Sequence, residues 1–219
     1  MTHGISMTVY SDALCVWAYI AQARIDEVGR RFADRVAIRY RFCSVFGDTR
    51  QKIGEGWADR GGYAGYGQHV REMAAPFDHA RIHPELWERN APPSSMPAHL
   101  VLKAVQRVDE ALCEPALREL RHAFFERNLD VASRDVLEGC IDAAGIPVAA
   151  VRAELDSGRA HADLEADLRD REALMVQGSP TFILNDGRQK LYGNVGYRVL
   201  EANIQELLET PAAGAASWC

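Results

Sequence analysis

MTVYSDALCVWAYIAQARIDEV, residues 7–28, holds the reading that decides the fold. Met7–Tyr10 is a short β-branched and aromatic run that reads as a strand, and Ser11-Asp12 ends it. From Trp17 to about Phe32 the apolar residues Ile20, Ile25, Val28 and Phe32 fall on one helical stripe. Cys15 therefore stands where a strand turns into the start of a helix. A second stretch, VQGSPTFILNDGRQKLYGN at residues 176–194, pairs with it. There Gly178-Ser179-Pro180-Thr181 opens a strand (Thr181–Leu184), Asn185-Asp186-Gly187 makes a turn, and Gln189–Tyr192 returns as a second strand.

Working outward, Val36–Phe42 alternates and reads as the strand after the first helix. Strand, helix and strand with short connections form a βαβ unit, whose right-handed crossover makes the two strands parallel. Residues 48–75 lose this regularity. Gly54, Gly56, Gly61, Gly62, Gly65 and Gly67 interrupt them, and no Gly-Lys-Ser/Thr follows a strand, so a phosphate loop is not indicated. An irregular loop running into a helix around His69–Ala75 is expected. From about 97 to 168 the pattern is helical, with starts at Pro97, Pro115 and Pro147 and an N-cap at Ser133. Tyr197–Leu208 closes the pattern as an amphipathic helix.

The arrangement resembles the DsbA-like branch of the thioredoxin superfamily. That branch includes the 2-hydroxychromene-2-carboxylate isomerases and the kappa-class glutathione transferases. The likeness is strongest at SDALCVWAYIAQARIDEV (11–28), AFFERNLDVASRDVLEGCIDAAGI (123–146) and GSPTFILNDGRQKLYGNVGY (178–197). It implies an α/β thioredoxin fold, βαβ then ββα, split by an inserted all-helical domain. The expected boundaries are 1–47 and 170–210 for the thioredoxin-like part, 48–169 for the insertion and 211–219 for a flexible tail. By the same resemblance Cys15 matches the nucleophilic cysteine, or the serine of the glutathione-transferase relatives. Pro180 matches the cis-proline and Ser179 the residue before it. Ala18 departs from the pattern: Cys15-Val16-Trp17-Ala18 stands in place of C-x-x-C and cannot close its own disulfide.

A thiol at a helix start faces unpaired backbone N–H groups and the positive end of the helix dipole, which favour the thiolate. Such a sulfur attacks disulfides or electrophiles. Ser179 would turn its backbone toward an extended thiol peptide such as glutathione. Trp17 reads equally as the lip of a substrate site and as core packing, and Tyr10, Ser11 and Asp12 share that ambiguity. With Ala18 in place of the second thiol, something else must resolve a mixed disulfide. Glutathione is one candidate, Cys43 at the end of a strand a second, and Cys219 near the C-terminus a third. Cys43 reads also as a strand-end core residue, Cys219 as a free terminal thiol, and Cys113 and Cys140 as core. His79 and His83 are four apart, as metal ligands on a helix can be, but the bland reading is a solvated surface and no metal is expected. His69 and His99 are candidates for the cleft between the two parts.

The composition fits a folded chain, with 47% hydrophobic residues and a net charge of −6, which argues against a nucleic-acid partner. No apolar run approaches the roughly 20 residues of a membrane span. The start of the chain has no secretory pattern, so a cytoplasmic protein with mostly free thiols is expected. The expected partner is a small thiol or disulfide, and a homodimer is left open. Three functions compete: a glutathione-linked monothiol oxidoreductase; a glutathione-dependent isomerase or transferase for a small aromatic or electrophilic substrate; and a redox-inactive binding protein.

Overall fold

The computed structural model describes residues 4–209. The chain opens with β1 (Ile5–Ser11), α1 (Val16–Phe32) and β2 (Val36–Phe42). It ends with β3 (Thr181–Leu184), β4 (Gln189–Tyr192) and α8 (Tyr197–Glu209). The sheet order is β2-β1-β3-β4. β1 pairs parallel with β2, Val9 opposite Tyr40, and antiparallel with β3, Val9 opposite Phe182. The expected βαβ and ββα units thus join in one sheet, with the first and third strands at its centre.

Burial follows that order. All four residues of β3 are buried, while the edge strand β4 alternates between half-buried and exposed. A strand covered on both faces needs apolar residues at every position, and TFIL supplies three of four. Each fully buried Val, Leu or Phe contributes about 1.5–3 kcal/mol. The turn between β3 and β4 holds Asn185, Asp186 and Gly187 at positive φ (48°, 56° and 98°), where these three residue types are the ones best tolerated.

Between β2 and β3 the chain is helical. α2 (Gly62–Ala74), α3 (Met96–Val108), α4 (Cys113–Arg121), α5 (Arg134–Ala143), α6 (Val148–Asp156) and α7 (Arg159–Ala173) follow in turn. α3 packs on α6 and α7, and α7 reaches back to β2. The apolar core runs unbroken from Val9 and Ile20 to Leu102, Leu117 and Phe124.

The glycine-rich stretch corrects the expectation of a loop. Short helical turns at Arg50–Glu55 and Ala58–Arg60 lead directly into α2, which begins at Gly62 and not near His69. Its glycines answer to close backbone approach. A Cβ at Gly65 would lie 1.8 Å from the Arg60 carbonyl oxygen, and one at Gly67 would lie 2.3 Å from that of Leu86. Glycine lowers helix propensity by about 1 kcal/mol, which is why the pattern alone reads as irregular.

Candidate active site

β1 delivers the chain to Asp12, and Asp12 organises the turn that presents Cys15. The Asp12 carbonyl accepts the Cys15 N–H at 3.1 Å. One carboxylate oxygen, Oδ1, accepts the Leu14 N–H at 2.9 Å, closing an Asx turn. The other, Oδ2, accepts the Phe46 N–H at 2.8 Å and the Ser95 hydroxyl at 2.9 Å. The Asp12 N–H donates to Ser179 Oγ at 2.8 Å. A single fully buried carboxylate therefore ties the end of β1 to the β2 loop, while its backbone holds the Ser179–Pro180 loop and Ser95 brings in the start of α3.

His99 of α3 braces the same turn. It is fully buried, stacks on Phe42, and accepts the Ala13 N–H on Nε2 at 3.0 Å. Because Nε2 accepts that bond, the ring proton lies on Nδ1, which has no protein partner. Nε2 also lies 3.6 Å from Asp12 Oδ1. Burial pushes the Asp12 carboxyl up, but the facing His99 ring and the N–H groups of Phe46 and Leu14 outweigh it. The net result is a carboxyl held below the usual carboxylate range.

Cys15 is the N-cap of α1, in extended backbone (φ −83°, ψ 115°), and its carbonyl accepts the Tyr19 N–H at 3.0 Å. Its thiol is 6% exposed and donates to the Ser179 carbonyl at 3.1 Å. The Ser179–Pro180 peptide bond is cis. Here the structure corrects the expected lowered thiol pKa. Burial pushes the Cys15 thiol up, and the Asp12 charge adds to it. The N–H group of Ala18, the Ser179 side chain and the N–H group of Trp17 oppose them without prevailing. The helix start supplies the stabilising donors, but the enclosure around the sulfur costs more.

The other sequence candidates fall as follows. Ser11 is buried, and its hydroxyl accepts from Arg121 Nη2 at 2.7 Å. Ala18 is buried and Trp17 half-buried against the core. Ser179 is nearly buried, its side chain and carbonyl both engaged by residues 12 and 15 and not turned outward. Cys43 is buried in a separate apolar cluster with Tyr10, Val176 and Ile183, and its N–H donates to the Ser11 carbonyl. Burial raises the Cys43 thiol strongly, and a charge on Asp12 or Cys15 would raise it further. Cys113 and Cys140 are buried. Cys219 lies outside the described residues. His79 Nε2 donates to the Ile20 carbonyl, and His83 Nδ1 accepts the Glu85 N–H. His69 packs against Trp57 and Tyr66.

Two contributors escaped the sequence reading. Arg121 is wholly buried behind α1, and its position beside Ser11 has no local signature. Tyr66 of α2 sits in an aromatic cluster with Phe46, Trp57 and Trp87. Burial raises its hydroxyl, and charges on Cys15 and Asp12 raise it further.

Residues 6–205 match the family model of the DSBA-like thioredoxin domain. The chain belongs to that family. The DSBA-like chain is 26% identical over 144 residues to the ClpXP adapter protein SpxH of Shouchella clausii (strain KSM-K16). That match covers 57% of this chain and spans about half (48%) of the relative's length. Among solved structures, the probable DsbA oxidoreductase SCO1869 from Streptomyces coelicolor superposes with a TM-score of 0.73 at 20% identity, covering 97% of this chain and 94% of that one. The cytosolic disulfide reductase DsbM from Pseudomonas aeruginosa superposes at 0.70 and 20% identity, covering 92% and 99%. The same reductase solved with GSH superposes at 0.67 and 19%, covering 94% and 98%. At these identities the likeness is one of fold. Among the described residues, no helix of this DSBA-like chain is long and apolar enough to cross a membrane.

Proposed function

We propose that the protein is a cytoplasmic, glutathione-linked monothiol oxidoreductase with Cys15 as its nucleophile. One observation carries the reading. Cys15 stands at the N-cap of α1 and its sulfur bonds directly to the carbonyl of the residue before Pro180, while Ala18 holds the place of a resolving thiol. The DsbM likeness with GSH adds support at the level of fold.

The chemistry closes with one thiol. Contact of the Cys15 sulfur with water removes the burial cost and leaves the N–H groups of Ala18 and Trp17 to favour the thiolate. The thiolate attacks the glutathione sulfur of a mixed disulfide R–S–S–G. A Cys15–glutathione disulfide forms, and RS⁻ leaves and takes up a proton. A second glutathione thiolate attacks the glutathione sulfur of that adduct, releasing oxidised glutathione and regenerating Cys15. The substrate thiol is reduced and one glutathione thiol is oxidised. Cys43 is the competing resolving group on the protein.

The test is incubation with oxidised glutathione followed by peptide mass analysis, then turnover of a glutathione mixed disulfide with reduced glutathione. A single adduct on Cys15, with turnover lost in Cys15→Ser and kept in Cys43→Ser, is expected. Turnover that survives in Cys15→Ser would overturn the reading. Loss in Cys43→Ser with the Cys15 adduct intact would assign resolution to Cys43 in place of glutathione.

A further inference from the structure

The outer edge of β2 is closed at both ends and left open in the middle. β2 is an edge strand, paired only with β1. The Cys43 N–H donates to the Ser11 carbonyl, so the odd-numbered residues of β2 turn their backbone groups toward β1 and the even-numbered ones turn theirs outward. At the start of the edge the Val36 N–H donates to the Ala33 carbonyl. Toward its end the Tyr40 carbonyl accepts from Gln106 Nε2 at 2.9 Å, and the Phe42 N–H donates to Asp167 Oδ2 at 3.0 Å. Between these caps the Val36 C=O, the Ile38 N–H, the Ile38 C=O and the Tyr40 N–H have no hydrogen-bond partner among the described residues. Such a row is a template for another strand.

The free set is complementary to itself. Two copies of β2 placed antiparallel about a two-fold axis at Ile38 set Ile38 against Ile38, whose N–H and C=O groups bond each other reciprocally. On either side Tyr40 stands against Val36, and each Tyr40 N–H meets a Val36 C=O. The groups that this register would also bring together, the Tyr40 C=O and the Val36 N–H, are the two already bonded within their own chain, to Gln106 and Ala33. An unrelated extended peptide presents an unbroken row of donors and acceptors, and its groups facing those two caps would be left without partners.

We infer that the protein forms a two-fold dimer in which β2 pairs with β2 of a second copy, making one continuous sheet. The side chains agree with this register. Ile38 lies over Gly29 on the α1 face, beside a cleft of about 330 Å³ lined by Ile25, Ile38 and Tyr40, which leaves room for Ile38 of the second copy. On the other face each Arg39 falls opposite Ala37, which is exposed and small, so no like charges stand directly opposite. Charge agrees as well. The same cleft carries Asp26, Glu110 and Glu114; Arg118 takes Asp26 and Glu114, and Glu110 has no ion partner among the described residues. Arg35 has none either, and antiparallel pairing carries Arg35 of the second copy to the Tyr40 end, where Glu110 stands. The inference does not depend on the reaction proposed for Cys15.

Sedimentation equilibrium of the full chain across a range of concentrations, together with amide hydrogen exchange at Ile38 and Tyr40, tests it. The wild type should sediment at twice the mass of the chain, with both amides protected. Ile38→Asp sets two carboxylates against each other across the axis. It should weaken association at least tenfold and speed exchange at Tyr40. A wild type that stays monomeric overturns the inference, as does a dimer that Ile38→Asp leaves intact. Should Ile38→Asp fail to fold, Ile38→Cys decides. Residues facing each other on the axis have Cβ atoms close enough for a disulfide. An added disulfide oxidant should then take up the two thiol hydrogens and join the copies through residue 38, as mapped by peptide mass. Absence of that covalent dimer overturns the inference.

Discussion

The thiol of Cys15 and the carbonyl of Ser179 are 3.1 Å apart, with the sulfur as donor. That bond exists only while the sulfur keeps its proton. Alkylation of Cys15 by iodoacetamide across pH should therefore show an apparent pKa above the roughly 8.5 of a free cysteine. Denaturant should bring it back to the ordinary value. A native value well below 8 would show that the enclosed state is not the one that reacts.

Asp12 adds its negative charge to the burial that keeps Cys15 protonated. Asp12→Asn should lower the alkylation pKa of Cys15, because the charge that opposes the thiolate is gone. The amide must also turn one N–H toward Leu14 N–H or toward the Phe46 and Ser95 donors, so stability should fall by about 1–3 kcal/mol in urea. In the wild type, the folded carboxyl lies below its unfolded value. Its contribution is thus complete above about pH 4 and is lost as pH falls through the lower, folded value. Asp12→Asn should flatten the acid limb of a stability–pH curve. An unchanged limb would remove Asp12 as its source.

On the alkaline side the sign is reversed. Burial raises the thiols of Cys15, Cys43 and Cys113, and pushes Cys140 up to about 11. Unfolded thiols lose their protons near 8.5 while the folded ones keep theirs. The stabilisation is therefore whole below that pH and drains away as pH rises toward 11 and beyond. Urea midpoints at about pH 7.5, 9 and 10 (about one unit below, half a unit above and one and a half units above the unfolded thiol value) should decline in that order. A level series would mean that these thiols gain water or partners in solution.

Gly67 of α2 lies against the Leu86 carbonyl, and a Cβ there would come within 2.3 Å of it. The obstacle is backbone, which cannot swing aside. Gly67→Ala should cost about 1–3 kcal/mol in chemical denaturation, against the gain in helix propensity that alanine ordinarily brings. Gly139→Ala, on α5 with open space around it, is the matched control and should be neutral or stabilising.

The strands, α1, the cysteine at its start and the proline loop were legible because each is written locally. Alternation, a capping position and a turn triplet need no distant partner. α2 was not legible, because its glycines answer to Arg60 and Leu86 through contacts that no periodicity reports. Arg121 was hidden for a related reason: a basic residue on an amphipathic helix reads as surface until the fold shows that α1 covers it. The direction of the Cys15 shift could not be read either. The sequence supplies the helix start, and only the folded packing around the sulfur supplies the burial that outweighs it. His99 was placed as a cleft candidate, and its engagement with the Ala13 N–H makes it a brace for the turn.

The place of β1 at the centre of the sheet has a consequence for biosynthesis. β1 emerges early, and β2 follows within a few dozen residues. Its other edge must wait for β3, since Met7 pairs with Leu184. At ordinary translation rates that interval is on the order of ten seconds or more, during which an apolar strand presents an open edge. The helical block made in between is thus the region whose early collapse, or whose capture by a chaperone, decides whether that edge stays available for its own partner. Slowing translation between residues 48 and 173 should make the nascent chain more prone to aggregate.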